Sequence, residues 1–326
     1  MFSQHASAGG HASSGGSDYS VPENVSSEAQ QFLTRSPTGN LPEPEFSGLE
    51  KLNRGRAALN KMMLGFAKQI DPDYFLNKEK IAGVPVYWVN SEIPEKPGPA
   101  IIYLHGGGHI YGSAEKMIAM PIRVGKATGL PVLSIEYRLA PEHPFPADVE
   151  DIVSVYADLL AKGYRAEQIG VFGDSAGGAL ALALALEARN RGLPMPAAVA
   201  VLSPLSDAVH MGDTRIILAD ADPVLRQPLV KRYKLYVGDT DPTDPLMSPV
   251  YGDYSDFPPL LIQVGTRERL LSDSVRLASK ARQDGANVQL DVWDGMWHGW
   301  QGMPDLPEGD EASREVAEFL TGYMSL

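Results

Sequence analysis

Ser175 sits in Gly173-Asp174-Ser175-Ala176-Gly177, directly after the apolar run Ile169-Gly170-Val171-Phe172. His105-Gly106-Gly107-Gly108 follows a second such run, Ala100-Ile101-Ile102-Tyr103-Leu104. Together they suggest acyl transfer. A serine on a sharp strand-to-helix turn exposes its hydroxyl, and so tight a turn tolerates little bulk on either flank, hence Gly173 and Gly177. A glycine run lets the backbone approach a developing oxyanion and present N–H donors to it. Either pattern alone also describes a plain tight turn. In this order, each behind a strand-like run, they describe one site.

A serine of this kind needs a base and an acid, in the chain order Ser, Asp or Glu, His. The chain has seven histidines, His5, His11, His105, His109, His143, His210 and His298, and only the last two follow Ser175. His210 leaves Glu187 and Asp207 as intervening acids. Glu187 lies in the Ala/Leu-rich helix that follows the serine, and Asp207 is too close to His210 to come from a separate strand end. His298 is therefore the expected base, in the loop Gly295-Met296-Trp297-His298-Gly299-Trp300 after the strand-like Val288–Trp293. The acid should follow the preceding strand, Pro259–Val264. Glu268 is the nearer acid to that strand end, and Asp273 is its rival. Ser272-Asp273-Ser274 reads as a helix cap, which favours Glu268.

The elements that must position these residues alternate. Strands are expected at Val84–Val89, Ala100–Leu104, Val132–Glu136, Ile169–Phe172, Ala198–Leu202, Pro259–Val264 and Val288–Trp293. Helices are expected near 147–162, 175–192, 221–236, 272–284 and 311–324. Such alternation predicts an α/β fold, a mostly parallel sheet with helices on both faces and its chemistry at the carboxyl ends of the strands. Two stretches fall outside this pattern. Residues 26–33 and 47–70 have helical periodicity, the second with an apolar stripe of Leu49, Leu52, Leu59, Met62, Met63 and Phe66. Residues 207–256 are too long for an ordinary strand–helix connection. The expected organisation is thus a leader (1–20), a first cap segment (21–75), a catalytic domain (76–206 and 257–326) and a second cap segment (207–256). The cap sequences show no large exposed apolar face of the kind an interface-activated lipase carries.

The chain resembles the bacterial hormone-sensitive-lipase-like (family IV) esterases of the α/β-hydrolase fold. The matching stretches are His105–Gly108 with Tyr111-Gly112-Ser113, Tyr137–Ala147, Gly173–Gly178, Ser203-Pro204 with Asp207, Asp244-Pro245-Leu246 with Ser248-Pro249, and the Glu268 and His298 loops. They span most of residues 80–320 in order. The resemblance implies a serine carboxylesterase acting on short- to medium-chain acyl esters. It also implies a Ser175-Glu268-His298 triad and oxyanion donors from the backbone N–H of Gly107, Gly108 and Ala176, leaving Gly106 open. The same machinery serves amides and lactones, and plant gibberellin receptors of this resemblance bind a ligand after losing the histidine that His298 retains here. Three positions depart from the pattern. Glu268-Arg269-Leu270 stands where many relatives have Asp-Pro-Leu. His109 follows the glycine run as either a polar pocket residue or a packed loop histidine. Leu205 replaces an often larger aromatic, which would widen the substrate pocket. A homodimer is implied by the resemblance only.

Composition excludes other classes. A net charge of −13, from 28 basic and 41 acidic residues, argues against nucleic acid or an anionic membrane as partner. With no cysteine there is no disulfide, thiolate metal site or cysteine nucleophile. The chemistry calls for no metal or organic cofactor, and the partner expected is a small-molecule ester. Residues 1–20 are Gly/Ser/Ala/His-rich, without the charged and apolar regions of a secretory signal, so a disordered leader and a cytoplasmic location are expected.

Overall fold

A computed structural model of the protein describes residues 20–36, 47–227 and 230–326. The leader, with His5 and His11, lies outside the described residues except for Ser20, as does most of the breaker-rich stretch between the two N-terminal helices. Eight strands form one sheet: β1 (Leu76–Ile81), β2 (Val84–Val89), β3 (Ala100–Leu104), β4 (Val132–Ile135), β5 (Ile169–Asp174), β6 (Ala198–Leu202), β7 (Leu260–Gly265) and β8 (Val288–Trp293). Their order is β1-β2-β4-β3-β5-β6-β7-β8. Strands β3 to β8 run parallel, and β2 is antiparallel to both of its neighbours. The central strands β3, β4, β5, β6 and β7 are buried along their whole length. That explains their largely apolar sequences, because helices cover both faces.

The helices are α1 (Ser27–Arg35), α2 (Leu49–Ile70), α3 (Ala119–Thr128), α4 (Ala147–Ala161), α5 (Ala176–Asn190), α6 (Thr214–Ile217), α7 (Val230–Val237), α8 (Leu271–Gln283) and α9 (Pro307–Tyr323). One face of the sheet packs on α4, α5 and α8 through Ile152, Leu180, Leu184 and Leu277. The other packs on α3 and α9 through Ile122, Val124, Val316 and Leu320. From β3 the chain moves outward to β4, then returns past β3 to β5, so the carboxyl ends of β3 and β5 flank a switch point in strand order. Ligands of open α/β sheets bind at such crevices.

Three elements depart from the sequence reading. β1, Leu-Asn-Lys-Glu-Lys-Ile, is too polar to read as a strand, but it is an edge strand whose charged side chains suit exposure. α3 was hidden by Pro121 and Gly125 and by the lack of a polar face, since Ala119 to Val124 are all buried. In the second segment the helix begins at Val230 and not near residue 221. Among the described residues, no helix is long and apolar enough to cross a membrane.

Candidate active site

The turn between β5 and α5 is as tight as its sequence suggests. Ser175 adopts φ 53° and ψ −119°, a strained conformation for a side-chain-bearing residue. A Cβ on Gly173 would lie 2.2 Å from the Gly177 carbonyl oxygen, and one on Gly177 would lie 2.0 Å from that of Leu104. Neither flank can be anything but glycine without moving the backbone. The Ser175 N–H donates to Leu202 (2.8 Å), and the Ser175 carbonyl accepts from Leu205 N–H (2.9 Å), which ties the turn to the end of β6.

Three sequence-predicted residues meet in one hydrogen-bonded chain. His298 Nε2 lies 3.0 Å from Ser175 Oγ, and His298 Nδ1 lies 3.1 Å from Glu268 Oε2. The other carboxylate oxygen of Glu268 accepts from Gly265 N–H and Ser203 Oγ, both at 2.7 Å. Glu268 is fully buried, so its charge depends on these partners. Burial disfavours the His298 imidazolium, but the hydrogen bond and charge of Glu268, helped by Asp222 and Asp174, outweigh it and hold His298 above the ordinary histidine range. The loop carrying His298 is pressed onto β7: a Cβ on Gly265 would lie 2.2 Å from the Met296 carbonyl oxygen.

Asp273, the rival acid, is equally buried but turned elsewhere. Arg215 Nε donates to its Oδ1 (2.9 Å), and Arg215 Nη2 pairs with its Oδ2. His210, the other histidine after Ser175, lies against the same guanidinium. Burial and that positive charge push it down to about 3, which leaves it neutral and away from the serine.

The glycine loop after β3 faces Ser175. Gly107 and Gly108 both have positive φ, 119° and 63°, and a Cβ on Gly107 would lie 2.1 Å from the Tyr111 carbonyl oxygen. Among the described residues, neither of their N–H groups has an acceptor, and Ala176 opens α5, where N–H groups lack helical partners. Gly106, left open by the sequence, is already engaged: its N–H donates to Asp174 Oδ1 at 3.0 Å. Asp174 is held in turn by Tyr103 Oη at 2.6 Å. The sequence reading gave Asp174 no role; its burial directly before the serine is what ties the two motifs together. His105 stacks on Tyr137 with ring centroids 4.3 Å apart, and burial lowers it to about 4, so it is a neutral packing residue beneath the loop.

A cavity of about 520 Å³ opens above Ser175 and His298. Leu59, Met62, Met63 and Phe66 from the α2 stripe line it, whereas Leu49 is exposed and Leu52 packs elsewhere. Phe32, Met117, Met120, Val224, Tyr233 and Met303 also line it, none of them singled out by sequence. The two tentative pocket residues are corrected. His109, at φ 61°, is buried with Nδ1 2.8 Å from Asp148 Oδ2 and its ring stacked 3.8 Å from that of Tyr236. It is the packed loop histidine. Leu205 is fully buried behind the serine turn among Ile110, Ala140 and Ala176, and does not line the cavity. Residues 207–256 also expose more apolar surface than their sequence suggested, since Met211, Ile216 and Ile217 are 67%, 79% and 60% exposed.

Residues 101–302 match the family model described as alpha/beta hydrolase fold. The acetyl-hydrolase of Streptomyces hygroscopicus is 38% identical over 225 residues, covering 68% of this chain and 75% of that protein. A solved esterase from the bacterial hormone-sensitive lipase family is 38% identical with a TM-score of 0.77, covering 86% of this chain and 100% of that one. EstE5 soaked with p-nitrophenyl butyrate is 35% identical with a TM-score of 0.79, covering 91% and 97%. The chain belongs to the hormone-sensitive-lipase-like esterases of the α/β-hydrolase fold. It is a carboxylic ester hydrolase.

Proposed function

We propose that this enzyme hydrolyses short- to medium-chain acyl esters through an acyl-enzyme on Ser175, with His298 as general base and Glu268 as the acid that orients it. The observation that carries this reading is the unbroken chain from Ser175 Oγ through His298 to Glu268, at 3.0 and 3.1 Å, on the floor of an apolar cavity. His298 Nε2 takes the hydroxyl proton as Ser175 Oγ attacks the acyl carbon. The Gly107, Gly108 and Ala176 amides face the oxygen on which charge develops. Collapse expels the alcohol, which leaves with the proton from His298. Water, deprotonated by His298, then attacks the acyl-enzyme and releases the carboxylic acid. Glu268 holds Nδ1–H and stabilises the imidazolium.

In the same reading, residues 21–75 and 207–256 form a cap. Their apolar side chains, Leu59, Met63, Phe66 and Val224 among them, exclude water and hold the acyl or alcohol group. Turnover of p-nitrophenyl acetate and butyrate is the direct test. Release of nitrophenol by wild type and its absence in Ser175→Ala support the reading; equal rates in the two proteins would refute it.

A further inference from the structure

The stretch Tyr137–Ala147 contributes nothing to the triad, yet one cap side chain is built into it. Arg56 stands on α2, one position after Gly55, which lines the cavity. Its Nε donates to the Ile110 carbonyl at 2.7 Å, and one Nη donates to the Ala140 carbonyl, also at 2.7 Å. Both Nη groups close on Glu142, at 2.7 and 2.9 Å. The Ala140 N–H donates to the His109 carbonyl at 2.9 Å. Two consecutive carbonyls of the glycine loop, those of His109 and Ile110, are therefore gripped from outside by Ala140 and Arg56. The inner bonds of the same turn run from Ile110 and Tyr111 N–H to the Gly107 carbonyl, at 3.2 and 2.9 Å. Helix α2 rests directly on this loop, since a Cβ on Gly55 would lie 3.2 Å from the Tyr111 ring.

An exposed arginine–carboxylate pair contributes little by itself. Arg56 differs because its side chain is only 16% exposed and two of its acceptors are main-chain carbonyls, whose directions a planar guanidinium fixes. We propose that Arg56 is a positioning residue that latches the cap to the glycine loop, so that the seating of α2 over the cavity sets the direction of the Gly107 and Gly108 amides. This rests on the reading of those amides as oxyanion donors. The latch stays charged as the pH falls further than an isolated carboxylate would allow, because Arg56 holds Glu142 below the usual carboxylate range.

The test compares wild type with Arg56→Ala and Arg56→Lys, using a short p-nitrophenyl ester and two inhibitors. One inhibitor is a short alkyl trifluoromethyl ketone, whose serine adduct carries an oxyanion; the other is the matching methyl ketone. In Arg56→Ala, kcat falls about 10- to 100-fold, the scale of a small misplacement at the reacting centre, while KM moves far less. Affinity for the fluoroketone falls by the same factor as kcat/KM, and affinity for the methyl ketone does not. Added guanidinium salt restores part of the lost rate in Arg56→Ala and none in wild type. Arg56→Lys, which keeps the charge without the fork, falls between the two and controls for folding together with a thermal melt. A loss confined to KM, or an unchanged fluoroketone affinity in Arg56→Ala, overturns the latch. Wild type binding both ketones equally overturns the oxyanion reading itself.

Discussion

Glu268, just before α8, and Asp273, in its first turn, are equally buried, yet different parts of the molecule hold them. Glu268 takes its hydrogen bonds from the sheet: Gly265 at the end of β7, Ser203 just past β6, and His298 from the loop after β8. Asp273 is bound by Arg215 of α6, alongside a second pair in which Arg276 of α8 meets Asp207. Burial pushes the Asp273 carboxyl upward, and the Arg215 charge opposes that rise. Burial thus marks a carboxylate as partnered, while the partner decides its work. In the proposed reading one acid orients a proton carrier, while the other fastens residues 207–256 to α8.

The largest effect expected is on the sheet side. Ser175→Ala should lower kcat by about 10⁴-fold or more with an unchanged melting temperature, and residual activity near wild type would remove Ser175 from the mechanism. Glu268→Gln should follow, losing up to about 10⁴-fold in kcat with a near-native melt. Asp273→Asn should show the opposite pattern. It strands a buried guanidinium, so stability should drop by about 3–5 kcal/mol in denaturant titration while kcat per folded molecule stays close to wild type. A large kcat loss in a stable Asp273→Asn protein would exchange the two roles.

The pH dependence sharpens the same contrast. The base must be neutral to act, so kcat/KM should fall as pH drops through the His298 pKa, which Glu268 holds above the ordinary value. Without the Glu268 charge, burial alone disfavours the imidazolium, so the acid limb of Glu268→Gln should shift to lower pH. In Asp273→Asn the limb should stay in place. A limb that fails to move in Glu268→Gln would break the proposed link between that acid and His298.

The smallest effect belongs to the lining of the cavity. Each acyl methylene adds ~0.8 kcal/mol of favourable burial only until the cavity is filled, so kcat/KM should peak at short acyl chains, roughly two to eight carbons on the family resemblance. Leu59→Phe, which narrows the cavity from α2, should move that peak to shorter chains and leave the acetyl ester nearly unaffected. A profile that still rises at sixteen carbons would mean that the cap opens instead of bounding the pocket.

The sheet side was legible in the sequence because backbone contacts set it. Only glycine fits at 173 and 177, so the serine turn announces itself, and the strands that carry it are buried enough to read as apolar runs. His298 followed by elimination among few histidines. The cavity lining was legible only where a periodic stripe existed, as at Leu59, Met62, Met63 and Phe66. Phe32, Val224 and Tyr233 reach the cavity from separate segments, and no local pattern records which way they face. His109 and Leu205 misled for a related reason. Each is a sequence neighbour of the site, but at the positive φ of His109, and at Leu205 with its N–H bonded to Ser175, the side chain itself packs away from the cavity. Asp273 gave no sign of its partner because Arg215 is remote in sequence and close only in the fold.

Sulfonylation by phenylmethanesulfonyl fluoride probes the proposed Ser175–His298–Glu268 chain itself, because it reports the activation of the nucleophile with little dependence on how the cavity holds a substrate. The rate of adduct formation would be followed by peptide mass spectrometry in wild type, Glu268→Gln and Asp273→Asn. One adduct is expected, on Ser175, forming far more slowly in Glu268→Gln and at close to the wild-type rate in folded Asp273→Asn. An adduct on another residue, or a rate at Ser175 that depends on Asp273 and not on Glu268, would contradict it.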